Sequence, residues 1–119
     1  MSEQSESIRI IKDSVTLLEL KKIAEERFGD MAKAVVDIER AVMAIGGEMH
    51  ADEEQILLEA GSKQEDLWGV NLYPDASGEN FVEFDSMINI RPRQGNRSRG
   101  VENEKIRTAV LEIIKKLVK

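Results

Sequence analysis

The chain of 119 residues has no cysteine, a single histidine and few aromatic side chains: one Trp, one Tyr and three Phe. Without cysteine there is no disulfide staple, no thiolate nucleophile, no zinc-cysteine site and no iron-sulfur cluster. No apolar run approaches the roughly 20 residues of a membrane span, and the opening MSEQSES lacks the basic-then-apolar layout of a secretory leader. The expectation is therefore a cytoplasmic protein with no membrane association. Internal repeats and low-complexity tracts are also missing. Asp and Glu number 23 against 17 Lys and Arg, a net charge of -6, which disfavours non-specific binding of nucleic acid or anionic lipid.

At this length one domain buries about two-thirds of its unfolded surface in a single core. The expected organisation is a flexible terminus over 1–7 and one α+β domain over 8–119. Its centre is the stretch 66–92, DLWGVNLYPDASGENFVEFDSMINIRP, which holds most of the aromatics. Trp68, Val70 and Leu72 alternate with Gly69, Asn71 and Tyr73; Val82, Phe84, Ile88 and Ile90 alternate with Glu83, Asp85, Asn89 and Arg91. Period-two alternation on both sides of a Pro, Asp, Ser and Gly turn predicts an antiparallel hairpin with one apolar face.

Elsewhere, Ser7 to Lys12 reads as an edge strand. Thr16-Leu-Leu-Glu19 is a capping box opening a helix with the stripe Leu17, Leu20, Ile23, Ala24 and Phe28, stopped by Gly29. Residues 31–45 fit both periods; β-branched content and Gly46-Gly47 favour a second hairpin turning near Glu39-Arg40, with a helix as the alternative. Asp52-Glu53-Glu54-Gln55 predicts another capping box before a short helix that ends at Gly61. Asn103 caps a last helix with the stripe Ile106, Val110, Ile113 and Leu117, and its C-terminal lysines complement the dipole. The predicted order is β-α-β-β-α-β-β-α: an α+β fold with an antiparallel sheet of about five strands and three helices largely on one face.

The run AIGGEMHADEEQILLEAGSKQEDLWGVNLYP, followed by EFDSMINIRPRQGNRSRGVEN, resembles a family of small prokaryotic proteins described as a domain of unknown function. The resemblance extends from the first capped helix onward. It rests on blocks at Gly46-Gly47, His50-Ala51-Asp52, Gly61-Ser62, Trp68-Gly69 and Asn96-Arg97-Ser98. It implies no reaction, cofactor or catalytic residue.

Two sites merit attention. In Arg91-Pro-Arg93-Gln-Gly-Asn96-Arg97-Ser98-Arg99, guanidinium forks and glycine-exposed amides before a helix N-terminus suit a small anionic ligand held by Arg91, Arg93, Asn96, Arg97 and Arg99. The ordinary alternative is a solvated loop paired with the chain's own carboxylates. The ending of a Walker loop is absent. The second site is the polar sheet face, where Asp37, Glu48, His50, Asn71, Glu83, Asp85, Asn89 and Arg91 share a surface if no helix covers it. There His50 with Asp52 or Asp85 suits acid-base or metal-assisted hydrolysis, although Asp52 is equally explained as a helix cap. No dedicated metal-ligand set is assigned. Trp68 reads as core, and Tyr73 as the better contact residue.

The leading expectation is a binding or regulatory module for an anionic ligand or partner. A homodimer is the structural expectation, since open sheet edges are commonly completed by a second copy; a small hydrolase is the rival function, and an interaction protein with no ligand, using Phe81 and Met87, is the third reading.

Overall fold

The computed structural model describes residues 7–119, so the first six residues of the expected flexible terminus lie outside the described residues. Five strands form one antiparallel sheet: β1 (Arg9–Ile11), β2 (Ala32–Asp37), β3 (Val42–Ile45), β4 (Leu67–Leu72) and β5 (Val82–Glu83), in spatial order β1-β3-β2-β4-β5. Among the described residues three α-helices accompany them: α1 (Leu17–Arg27), α2 (His50–Glu59) and α3 (Glu104–Leu117). The α+β class and the five-stranded antiparallel sheet are as the sequence predicts.

Residues 31–45 form the hairpin and not the alternative helix. Val36 pairs with Met43 and Asp37 with Val42 across its turn. The turn is tied by Asp37, whose Oδ1 accepts the amides of Glu39 and Arg40 at 2.9 Å each while Oδ2 accepts the Ser62 hydroxyl at 2.6 Å. Such side-chain bonds give the chain a reversal in place of the continued helix.

On one face of the sheet Ala34, Val36, Met43, Ile45, Trp68, Val70 and Leu72 meet Leu20 and Ala24 of α1 and Val110, Ile114 and Leu117 of α3. The Thr16 capping box forms as expected. Asn103 caps α3 by accepting from Lys105 and Ile106. The Val15 amide donates to the Leu117 carbonyl and the Lys119 amide to the Val15 carbonyl, tying the chain before α1 to the end of α3. In α1 the stripe is narrower than predicted, because Leu17 and Phe28 at its ends are exposed.

The opposite face carries Val35, Val42, Ala44 and Leu67, and α2 lies on it through Leu57, with Ile56, Leu58 and Ile88 alongside. The polar face expected to be free of helices is therefore partly roofed, and two helices share the first face. Asp52 is not the cap of α2, since the helix begins at His50 after an extended Met49 that makes no side-chain cap bond. What takes the cap's place is Glu53, whose Oε2 reaches back to accept the Gly47 amide at 3.0 Å. The Gly46-Gly47 pair turns the chain from β3 into α2, with Gly46 at φ 98°, a region open to glycine at little steric cost.

The second strand of the central hairpin is much shorter than alternation predicts. Val82 and Phe84 pack toward the first core as expected, but Ile88 packs toward the second and Ile90 is 38% exposed. Parity resets at Ser86, where the chain leaves the sheet for a 3-10 turn over Met87–Asn89. The reason is local: Ser86 Oγ accepts the Ile88 amide, a side-chain-to-backbone turn that competes with the ladder.

Candidate functional site

Past β5, strand pairing is replaced by asparagine side chains. Asn89 imitates a strand: its Oδ1 accepts the Gly69 amide at 2.8 Å, and its Nδ2 donates to the carbonyls of Gly69 and Arg99, each at 2.9 Å. Asn96, buried, donates from Nδ2 to the carbonyls of Asn89, Ser98 and Gly100 and accepts the Glu102 amide at 2.8 Å. The Glu102 carboxylate accepts the amides of Arg97 and Ser98 at 2.6 and 2.9 Å. These bonds hold its pKa below the ordinary carboxylate value.

The five residues expected to hold an anion thus divide. Arg91 donates to the carbonyls of Gln64 and Leu67 and lies 4.0 Å above the Trp68 ring, bracing the start of β4. Asn96 is the loop's internal scaffold. Arg93 and Arg97 are exposed, and the backbone amides of Arg97 and Ser98 already hold the Glu102 carboxylate. Arg99 pairs with Asp85 at 2.7 Å and faces a cleft on the second sheet face.

That cleft, of about 170 Å³, lies between the first turn of α2 and the loop after β5. Lys33, His50, Ser86 and Arg99 supply its polar lining, and Met49, Met87 and Ile88 its apolar lining. Gly69 sets its depth, since a Cβ there would lie 2.6 Å from both Cβ and Oγ of Ser86 and 3.2 Å from the His50 ring. Only a glycine lets α2 and the Ser86 turn approach β4 so closely.

His50 is buried, with Nε2 2.8 Å from the Val70 carbonyl oxygen. A carbonyl only accepts, so Nε2 carries the proton, and the lone pair of the neutral ring sits on Nδ1. Burial pushes the imidazole down to about 4, against the Val70 bond that favours its charged form; Lys33 and Arg99 lower it further, and Asp85 opposes them. At neutral pH the cleft presents two cations, a neutral imidazole with a free acceptor and a hydroxyl.

Of the eight residues expected on the polar face, His50, Asn71, Glu83 and Asp85 gather near this end of the sheet. Asn71 Nδ2 donates to Glu83 at 2.8 Å, and the Tyr73 hydroxyl donates to the same carboxylate at 3.0 Å. Asp37 closes the β2–β3 turn, Glu48 pairs with Arg27 at 3.1 Å in solvent, and Asn89 and Arg91 brace the first half of β4. Asp52 does not line the cleft. Lys33 and Ser86 were not singled out from sequence. Lys33 shares strand parity with Val35, which placed it on this face, but nothing local marked Ser86.

Beside the cleft, on the same helix, Glu53 is fully buried. Burial raises its carboxyl well above the ordinary value, against the Gly47 amide bond, and its Oε1 has no partner. Among the described residues no three His, Cys, Asp or Glu side chains are grouped to hold a metal ion. No helix among them is long and apolar enough to cross a membrane. Phe81 and Met87 do not share a surface: Phe81 is half-buried in an apolar groove with Leu17, Leu111 and Val118, while Met87 rims the cleft.

No curated protein and no solved structure shows significant similarity to the chain. The model of the family described as "Protein of unknown function (DUF5674)" matches residues 9–117, from the first residue of β1 to the last of α3. That span takes in both walls of the cleft and both helices of the opposite core, and the chain belongs to this family.

Proposed function

We propose that the protein is a binding module that takes an anionic group in the cleft lined by Lys33, His50, Ser86 and Arg99. The observation that carries this reading is the convergence of an ammonium and a guanidinium on a small recess whose remaining polar groups are buried and uncharged. Charge-assisted bonds from Lys33 and Arg99 would hold a carboxylate or phosphate oxygen, and the Ser86 hydroxyl is a third donor. His50 Nδ1 is an acceptor for any hydroxyl or amide beside the anionic group. The loop arginines other than Arg99 take no part in this arrangement.

The test is thermal denaturation with sodium phosphate and sodium acetate at constant ionic strength. At a hundredfold excess over Kd the ligand adds about 2.7 kcal/mol of stability. The shift is expected to vanish in Lys33→Met, Arg99→Met and to persist in Arg93→Ala, Arg97→Ala. A shift lost only in the second pair returns the site to the loop, and no shift with either anion removes the reading.

The hydrolase reading assigns His50 the role of base. An imidazole held at about 4 is a weak base at neutral pH, which favours binding over proton abstraction.

A further inference from the structure

We propose that the occupant of the cleft is an acidic side chain presented by a protein partner, with the partner's neighbouring apolar side chains resting on Met49, Met87 and Phe28. This rests on the anionic reading above and adds the class of ligand.

Size is the first argument. Sites for drug-sized molecules run to roughly 300–1,000 Å³, and this cleft holds about 170 Å³. It accommodates a carboxylate and a short stem, with the rest of the ligand outside.

The second argument is what lies outside. Met49 is 58% exposed and Met87 66%, and both line the cleft beside His50 and Ser86. The patch continues across Lys33, whose ammonium stands 5.4 Å over the ring of Phe28, itself 40% exposed. Met49 and Met87 thus rim this recess and Phe28 lies beyond Lys33, three of the seven large apolar side chains left exposed among the described residues. Exposed apolar side chains grouped beside polar anchors offer a partner area to bury, and methionine adapts its shape to the surface that covers it.

Chemistry narrows the anchor. The Arg99 fork matches a carboxylate in two-point geometry. The guanidinium now pairs with Asp85 at 2.7 Å, so a protein carboxylate already sits on that cation at the edge of the recess. A partner's Asp or Glu replaces like with like. Covering the rim excludes water and strengthens each charged contact beneath it.

The experiment uses the full chain with 13C-methyl methionine and three probes: acetyl-Leu-Asp-Leu-amide, the same peptide with Asn, and sodium acetate. The Asp peptide is expected to move the Met49 and Met87 methyl resonances and to bind at least about tenfold tighter than acetate, a gap of about 1.4 kcal/mol. The Asn peptide should lose that affinity. In Met49→Ser, Met87→Ser the peptide's advantage over acetate should disappear while acetate still binds. If acetate binds through Lys33 and Arg99 and the Asp peptide binds no tighter, the partner proposal falls and the anionic reading stands. If Asp and Asn peptides bind alike, the carboxylate anchor is wrong and the proposal falls. If none of the three probes binds, the partner proposal falls, and the phosphate arm of the thermal test decides the anionic reading.

Discussion

The two faces of the sheet are held by different physics. Among the described residues, sixteen buried apolar side chains join the sheet to α1 and α3, and six join it to α2. The second face makes up the difference with buried polar groups: Asp37, Ser62, His50, Glu53, Asn71, Ser86 and Asn89 lie on it or at its rim. Burying polar groups costs free energy unless each finds a partner, whereas apolar burial contributes in proportion to area. One face is therefore tolerant of detail, and the other depends on individual bonds. The cleft lies on the dependent face.

The sharpest way to break that comparison is to remove apolar volume from the first face. Leu20 is fully buried between α1 and the sheet, so Leu20→Ala should destabilise by about 2–5 kcal/mol in chemical denaturation, through lost transfer energy and the cavity left behind. A cost near that of a surface substitution would mean the first core is not the main support.

The pH dependence sharpens the contrast, because it should come largely from the second face. His50 is penalised for protonation only when folded, so its pKa falls from about 6.5 unfolded to about 4. The unfolded chain takes the proton first, and stability is full above about 6.5 and declines as pH falls toward 4, by about 3 kcal/mol across that window. Glu53 works the other way. Its raised pKa means that the folded state retains the proton longer, so its contribution is full below the ordinary carboxyl value and is lost as pH rises through the folded one. His50→Gln should flatten the acid limb, and Glu53→Gln should raise stability at neutral and higher pH relative to wild type. If both variants follow the wild-type denaturation midpoint at every pH from 4 to 8, neither group is buried as described.

Asn89→Ala should cost about 1–3 kcal/mol, because the Gly69 amide and carbonyl lose their partners at a point where β4 has no strand on the side away from β2. Amide exchange at Gly69 should accelerate with it. A change within about 0.5 kcal/mol would place Asn89 with ordinary surface residues.

This asymmetry also explains what was legible in the sequence. The first face follows period: Trp68, Val70 and Leu72 alternate, the Thr16 and Asn103 caps have recognisable spacing, and all are found where periodicity puts them. The second face is built from contacts that leave no periodic trace. Alternation carried β5 through to Arg91, but Ser86 and Asn89 bond backbone groups and end the strand at Glu83. Asp52 fits a capping box as well as Glu53 fits its actual bond to Gly47, and only the Gly46-Gly47 turn selects between them. The arginine loop was visible as charge. That Arg91 would brace β4 and Arg99 alone would reach the cleft depends on long-range packing.

The smallest expected effect on stability separates support from recognition on this second face. Asp85 and Arg99 form a short ion pair, yet their side chains are 41% and 57% exposed. Solvent-exposed pairs contribute about 0–1 kcal/mol, since water screens the attraction and two side chains lose freedom in making it. Asp85→Asn should therefore leave the denaturation midpoint almost unchanged. Its effect on binding should be larger, because the substitution removes the carboxylate that competes for Arg99 and leaves Lys33 and Arg99 without a negative neighbour on that side of the cleft. Affinity for acetate, measured by the Arg99-dependent thermal shift, should rise, and added salt should weaken it more steeply than in wild type. If instead Asp85→Asn lowers stability by several kcal/mol with no gain in acetate binding, the pair belongs to the framework that Asn89 and Asn96 build, and the guanidinium is not available to a ligand.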